Sequence, residues 1–413
     1  MTRTSQPITS CQMCGGDKLS SIIFLGYLPP VNTMPPLGVP PVEEPSFPLE
    51  MLRCDDCGLV QIGLEVSQEV LFPESYPYLS GSTRILRDNF AEQYREVLDV
   101  VGLGQDELVI DVGSNDGTLL HNYHAAGHPV LGIEPSQAAD VASGRGIRTL
   151  KTYFGLETAR QVRKDHGPAK VVTACNVFAH IADVHAVVDG IVEMMGDDGV
   201  FVSESHYLVD LVETIQYDTI YHEHLRYYHL GALIGLLEWH GLEVFHVRRI
   251  PTHGGSIRVF AGRKGRRSVL SSVTERLAHE TEMGITDGSG LRGFRERVIR
   301  SKLDLYALLA PLKAEGARIY GIGAPSRAST LINYVGLDDG IIDAVMEVSS
   351  SHKLNKYVPG TRIPVLDEKK LYDDQPEYAL MLSWHIADEL APILKRNGFR
   401  GRFIVPLPEP RVI

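Results

Sequence analysis

The run Ile110-Asp-Val-Gly-Ser-Asn-Asp-Gly-Thr-Leu-Leu120 constrains the chain more than any other stretch. Leu108-Val-Ile110 is a short apolar run of the kind that fills a buried parallel strand, and Thr118-Leu-Leu120 begins a helix. Asp111, Gly113 and Gly117 make the junction between them. Gly113 has no Cβ to hold a ligand off the backbone, and the N–H groups opening the helix face whatever lies there. The spacing Asp-x-Gly-x-x-x-Gly lacks the first glycine of a dinucleotide loop. It suits a nucleoside with a cationic amino-acid tail better than a pyrophosphate. A second apolar strand, Val130-Leu-Gly-Ile133, ends in Glu134, where a ribose diol would be held. The expected ligand is S-adenosylmethionine (SAM), held by Asp111, Gly113, Asn115, Asp116, Gly117 and Glu134. The other reading is a plain α/β turn followed by a surface glutamate.

Strands are predicted at 107–112, 129–134, 170–175 and 199–204, separated by helical or turn segments. That alternation is the mark of a doubly wound parallel sheet and places the chain in the α/β class. With 413 residues, two or three domains are expected. The net charge of −12, with no dense Lys/Arg run, argues against a nucleic-acid partner. No segment approaches the roughly 20 apolar residues of a membrane span, and the N-terminus lacks a signal-peptide core. A cytoplasmic monomer acting on a small molecule is expected.

Four of the five cysteines fall in two knuckles, Cys11-Gln-Met-Cys14 and Cys54-Asp-Asp-Cys57. Two C-x-x-C pairs are the usual sign of a tetrahedral zinc site, and four thiolates leave no open position, so the metal is expected to be structural. The segment between the knuckles is rich in proline and unsuited to building a core unaided, which makes a metal staple sensible. A redox role for one pair is the alternative. Cys175, alone in an apolar run, reads as packing.

Polar residues gather at further places. Gln68 to Thr83 is a polar, aromatic loop carrying Tyr76 and Tyr78, either a lid or a surface loop, and a helix is predicted from about 84 to 102. The third strand leads into Asn176-Val-Phe-Ala-His180, and topology puts Asn176 and His180 at the ligand edge, although the histidine could be structural. The fourth ends at Ser203-Glu-Ser-His206, also at that edge. Tyr221-His-Glu-His224 sits in a dense run of aromatic and ionisable residues. Its spacing is wrong for a metal, because adjacent ligands rarely share an ion and H-E-x-x-H is absent. An acid–base cluster is the better reading, with an exposed polar helix start as the alternative.

Two antiparallel strands are predicted to flank Pro251-Thr-His-Gly-Gly-Ser256 and close the sheet, and a helical connector runs from 266 to 309. Beyond it, Arg318-Ile-Tyr-Gly-Ile-Gly323-Ala-Pro-Ser-Arg327 is again strand, glycine loop and helix, with Arg327 available for phosphate. The expected division is a zinc module over 1–75, a SAM domain over 76–265, the connector, and a Rossmann-like domain over 310–413.

Taken together, these motifs resemble the nucleotide-sugar C-methyltransferases of deoxysugar biosynthesis, which make branched sugars such as those of antibiotics. The likeness spans nearly the whole chain and includes Tyr217-Asp-Thr-Ile-Tyr-His-Glu-His224, His253-Gly-Gly-Ser256-Ile-Arg258 and Tyr357-Val-Pro-Gly-Thr-Arg-Ile-Pro364. The resemblance implies a central class I SAM methyltransferase sheet, a structural zinc module and a C-terminal domain gripping a nucleotide-linked 4-keto-6-deoxy sugar. It implies His224 as the base that deprotonates the carbon beside the ketone and Glu223 as its acid–base neighbour. Tyr221, His180 and a tyrosine of the loop, Tyr76 or Tyr78, would steady the enolate oxygen or sugar hydroxyls. Asn176 would serve the cofactor, and His253, Ser256, Arg258, Arg327 and Tyr357 the substrate. One departure stands out: Ser326-Arg327-Ala328 replaces the family's usual Ala-Lys-Gly, which changes the geometry a phosphate would meet. Other readings are a methyltransferase of this architecture acting on oxygen, nitrogen or another carbon acid, and a non-catalytic nucleotide-sugar binding protein.

Overall fold

The strand Val109–Val112 (β1) is buried at every residue and lies inside a seven-stranded sheet. The computed structural model describes residues 4–72 and 79–413, so Tyr76 and Tyr78 lie outside the described residues. The sheet continues with Val130–Ile133 (β2), Thr149–Leu150 (β3), Ala169–Cys175 (β4), Met195–His206 (β5), Leu242–Ile250 (β6) and Ser256–Arg263 (β7). Their order across the sheet is β6-β7-β5-β4-β1-β2-β3. Only β7 runs against its neighbours β5 and β6, pairing Glu204 with Arg258 and Arg248 with Arg258. This is the class I methyltransferase sheet. The predicted helix after β1 is present as Thr118–Ala125, and that before it as Arg84–Val101. Gly117 caps the first at φ 73°, a left-handed backbone that glycine adopts without strain.

A four-stranded antiparallel sheet is built from three strands that precede this one in the chain and one from within its span, in the order Arg226–Tyr227, Val60–Ile62, Phe47–Cys54, Leu19–Leu28. Its last strand comes from the segment that follows the Tyr-His-Glu-His run, so the zinc module and the polar cluster are joined by backbone pairing at Gln61–Arg226. The connector is two helices, Ser271–Glu282 and Ser289–Ala314. It is more than a spacer. Glu280, fully buried, accepts from Tyr207 Oη at 2.8 Å and from the N–H groups of Leu230 and Gly231.

The C-terminal sheet contains Ile319–Ile322 (β8), Ala344–Glu347 (β9), Lys356–Tyr357 (β10), Pro364–Asp367 (β11), Tyr378–Met381 (β12), Arg402–Val405 (β13) and Arg411–Val412 (β14). The order is β10-β11-β9-β8-β12-β13-β14, with the five inner strands parallel and the edges antiparallel. Helix Ser326–Val335, which follows β8, is buried along most of its length because its first turns pack on residues 216–220. Among the described residues no helix is long and apolar enough to cross a membrane.

Candidate active site

The carboxyl ends of β1, β2 and β4 meet in one place, as parallel sheets require of a ligand edge. Two asparagines there hold left-handed backbones, Asn115 at φ 49° and Asn176 at φ 57°. A non-glycine residue in that region costs on the order of 1–3 kcal/mol and persists where the surroundings demand it. Glu134 ends β2 with its carboxylate fixed from both sides: Oε2 accepts from the Asn115 N–H at 3.0 Å and Oε1 from the Ser136 N–H at 2.9 Å. Each oxygen keeps a lone pair for a diol. Asp111 is buried at the end of β1, where Thr173 Oγ1 donates to it at 2.6 Å. Burial pushes its carboxyl up to about 7, opposed by the Thr173 bond and aided by Glu134 and Glu204.

Three expected cofactor residues have a different immediate task. Asp116 is fully buried and its carboxylate is spent within the protein: Oδ2 accepts from Gly81 N–H at 3.1 Å and Arg145 Nη1 at 3.0 Å, and Oδ1 from Thr118 Oγ1 at 2.6 Å. It latches the segment at Gly81 onto the loop. A Cβ on Gly117 would stand 3.1 Å from Ala142 Cβ and 3.2 Å from Ile147, so this glycine serves helix packing. A Cβ on Gly113 would meet Val177 at 2.5 Å, so its bareness lets the 176–180 turn close over the loop.

His224 lies where the Tyr-His-Glu-His turn faces the end of β4. Its Nδ1 is 3.0 Å from the carbonyl oxygen of Thr219. A carbonyl only accepts, so Nδ1 carries the proton and Nε2 holds the free lone pair. The ring packs on Tyr221 (centroids 4.1 Å apart) and edge-on to His180 (4.9 Å). Burial, then the neighbouring imidazoles of His180 and His206, hold His224 well below the usual histidine range. Burial likewise draws His180 down to about 4, His206 to about 3, His253 to about 4 and His385 to about 2. The Nδ1 atoms of His180, His206 and His385 have no partner among the described residues. Orphaned nitrogens in a half-buried pocket fit a polar ligand.

The expected carboxylate–imidazole pair takes another form. Glu223 is buried, and its Oε1 accepts from Asn32 Nδ2 of the N-terminal module at 2.6 Å, while His224 is oriented by Thr219. Burial pushes Glu223 up to about 7, offset by the Asn32 bond and by Lys353. Consecutive side chains on this tight turn point different ways.

The expected substrate contacts divide. His253, at φ 60°, keeps its ring in the histidine pocket. Ser256 donates to the Thr252 carbonyl at 2.9 Å. Arg258, fully buried, is committed to an internal ion cluster: Nε is 2.7 Å from Glu204 Oε1, Nη2 3.0 Å from Asn89 Oδ1, and Nη1 meets Glu96. A buried guanidinium so paired holds β7 to β5 and has no fork left for substrate. Arg327, expected to meet phosphate, forms a two-pronged ion pair with Asp218 at 2.8 Å from Nε and 2.8 Å from Nη2. Tyr357 is on the edge strand β10, with Arg362 4.8 Å above its ring and its N–H donating to Pro35. Asn32, Thr219, Asp218, His206, Lys353 and His385 were missed as site residues; only His206, at a strand end, carried a topological signal.

The four knuckle sulfurs lie within 4.8 Å of one another, with Cys11–Cys57 at 3.5 Å and Cys14–Cys54 at 3.6 Å. These separations far exceed an S–S bond of about 2.05 Å. They approach the edge of about 3.8 Å of a tetrahedron with Zn–S bonds of about 2.3 Å. The hydrogen bond from Cys57, with the N–H groups of Cys14 and Met13, lowers the Cys11 thiol against the opposing effect of burial. The residues fit a structural zinc ion.

Three family models tile the chain: "Putative zinc binding domain" over residues 11–72, "Methyltransferase domain" over 85–247 and "C-methyltransferase C-terminal domain" over 251–408. The chain is 34% identical to the C-methyltransferase NovU of Streptomyces niveus over 413 residues, covering 99% of this chain and 97% of that protein. The chain belongs to the C-methyltransferase family. As a C-methyltransferase with a class I sheet it takes its methyl group from SAM, and Glu134, Asp111 and the backbone at Gly113–Asn115 could hold the nucleoside. Solved structures similar to part of this C-methyltransferase include a SAM-dependent methyltransferase from Clostridium acetobutylicum (12% identity, 43% of this chain and 92% of that one, TM-score 0.35). Another is magnesium protoporphyrin IX methyltransferase from Synechocystis with bound SAM (14% identity, 43% and 79%, TM-score 0.33).

Proposed function

We propose that this C-methyltransferase acts on a nucleotide-linked 4-keto-6-deoxy sugar, with His224 removing the proton from the carbon beside the ketone. The observation that carries the reading is the tautomer of His224: Nδ1–H is spent on the Thr219 carbonyl, which leaves the Nε2 lone pair as the ring's acceptor. Carbon is a poor nucleophile until deprotonated, so a neutral, oriented imidazole is the part this chemistry needs. The proton moves to Nε2, the electron pair passes into the enolate, and the α-carbon then forms its bond to the methyl carbon as the carbon–sulfur bond breaks. SAM supplies an electrophilic methyl group that needs no acid to leave.

The other pocket residues divide the remaining work. The Nδ1 of His180 has no partner among the described residues and is placed to accept from a sugar hydroxyl. Tyr221 and a tyrosine at 76 or 78 are the proposed donors to the enolate oxygen. A nucleotide on the substrate is favoured by an internal parallel between the two α/β domains. Glu347 ends β9 as Glu134 ends β2, with Oε2 accepting from Ala324 N–H at 2.8 Å and Oε1 from Val348 N–H at 3.0 Å. Lys353 lies beside it, donating to the Ala324 carbonyl at 2.6 Å and supplying positive charge near a phosphate. A thiolate zinc site suits the reducing cytoplasm. Mass spectrometry after incubation with SAM and a panel of 4-keto-6-deoxy sugar nucleotides tests the reading: a C-methylated sugar supports it, and methylation only of oxygen or nitrogen acceptors overturns it.

A further inference from the structure

The carbonyl that orients His224 belongs to a short segment gripped from the C-terminal domain. Asp218, the residue before Thr219, is fully buried, and its carboxylate receives both prongs of Arg327 at 2.8 Å and Trp384 Nε1 at 2.7 Å. The Arg327 guanidinium lies 4.9 Å from the Trp384 ring centre, and its Nη2 also reaches Gln216 Oε1 at 3.1 Å. Thr330, one turn along the same helix, donates to the Ile220 carbonyl at 3.2 Å. Residues 216, 218 and 220 are therefore each tied to that helix or its neighbour, and the 219 carbonyl between them serves the histidine, with Tyr227 Oη 3.4 Å from the same oxygen.

The segment needs this hold. Ile215, immediately before it, sits at φ 57°, a backbone that a β-branched side chain adopts only under outside constraint. Part of the constraint comes from Arg327, a residue that the sequence alone suggested for substrate. A lysine at 327 would offer a point charge in place of a planar fork and could not hold both carboxylate oxygens in one plane.

We propose that Arg327 is a positioning residue for the base: through Asp218 it fixes the Thr219 carbonyl, and with it the tautomer and direction of His224. This rests on the reading of His224 as base, and it assigns Arg327 to the coupling of the two domains, not to phosphate. The C-terminal domain thus completes the acid–base centre of the central one, so that the base is correctly set only when the two are docked.

The test uses the full zinc-loaded chain labelled with ¹⁵N-histidine, with SAM bound. The His224 ring signals are identified by their loss in H224Q. Wild type is expected to show the Nδ1–H tautomer. R327K and R327M are expected to move that population toward Nε2–H, and W384F to move it less in the same direction, while SAM affinity stays within about threefold of wild type. With an accepted sugar nucleotide, kcat is expected to fall about 10- to 100-fold, the size of effect that follows misplacement of a reacting group, with KM little changed. An unaltered His224 tautomer in folded R327K, or in folded W384F if the position-327 variants do not fold, overturns the proposal. So does a raised KM with kcat preserved, which is the signature of a phosphate ligand. Failure of the underlying reading is separate: turnover retained in H224N removes His224 as base, whereas the ring signals still decide whether Arg327 sets its geometry.

Discussion

His224 donates its Nδ1–H to the Thr219 carbonyl at 3.0 Å, and this bond leaves Nε2, the nitrogen of the proposed base, as the ring's acceptor. Because burial and adjacent imidazoles keep the ring neutral, the lone pair on Nε2 is available without a change of pH. His224→Asn retains a hydrogen-bonding group and removes the base. Methyl transfer is expected to fall by about 10² to 10⁴, the usual worth of a positioned general base. SAM affinity, measured by calorimetry, is expected to be unchanged.

Glu223 gives a stability prediction with a definite sign. Its carboxyl rises from 4.5 to about 7 on folding, so the native state holds a proton that the unfolded chain releases between those values. The folded protein therefore loses stability as pH rises from about 4.5 to about 7. Glu223→Gln keeps the acceptor for Asn32 and removes the titration. It is expected to be more stable than wild type at pH 8, by on the order of 3 kcal/mol, with the difference vanishing near pH 4. Parallel denaturant titrations at the two pH values measure it; equal midpoints at pH 8 would count against the buried-acid account.

The histidine pocket acts in the opposite direction. His180, His206, His253 and His385 fall from 6.5 to between about 2 and about 4, so the unfolded chain binds protons that the native state refuses. Their contribution is present above pH 6.5 and is lost as pH falls toward 4. His385→Gln is expected to shallow the decline in melting temperature between pH 6.5 and pH 4.

The four-thiolate site predicts about one zinc per chain. Cys54→Ser removes a fully buried ligand at the end of the strand Phe47–Cys54. Because the module draws folding free energy from its metal, zinc released to a colorimetric chelator and a lowered melting temperature are expected together. Full zinc content in this variant would contradict a site built from all four sulfurs.

Two glutamates should separate the two ligands. Glu134→Ala is expected to weaken SAM binding, and Glu347→Ala to raise KM for the sugar nucleotide, each by about 10- to 100-fold for loss of a charged hydrogen-bonding partner, with little crossover. Isothermal titration for the first and initial rates for the second provide the readout.

The sequence made the local elements plain and the contacts between distant ones opaque. Apolar runs ending in Asp111 and Glu134 marked their strands because burial on both faces demands such runs. The knuckles marked their metal because thiolate spacing is short-range. Arg327 read as a phosphate partner because a basic residue after a glycine loop usually is one, and Asp218, 109 positions away, carries no local sign that it will claim that arginine. Arg258 misled for the same reason: Glu204 meets it only once β7 lies beside β5, and Glu96 only once the helix Arg84–Val101 packs against that sheet. Asn32 and Lys353, from the two ends of the chain, reach Glu223 only through domain packing.

The most direct test of the central claim is hydrogen exchange at the substrate carbon. The enzyme, bound to S-adenosylhomocysteine in D₂O, is incubated with the keto sugar nucleotide that it methylates, and the sugar is read by NMR. Deuterium entering only the carbon that later receives the methyl group, and failing to enter with His224→Asn, is the predicted result. Methylation that proceeds at a carbon showing no exchange, or exchange that survives the loss of His224, would contradict it.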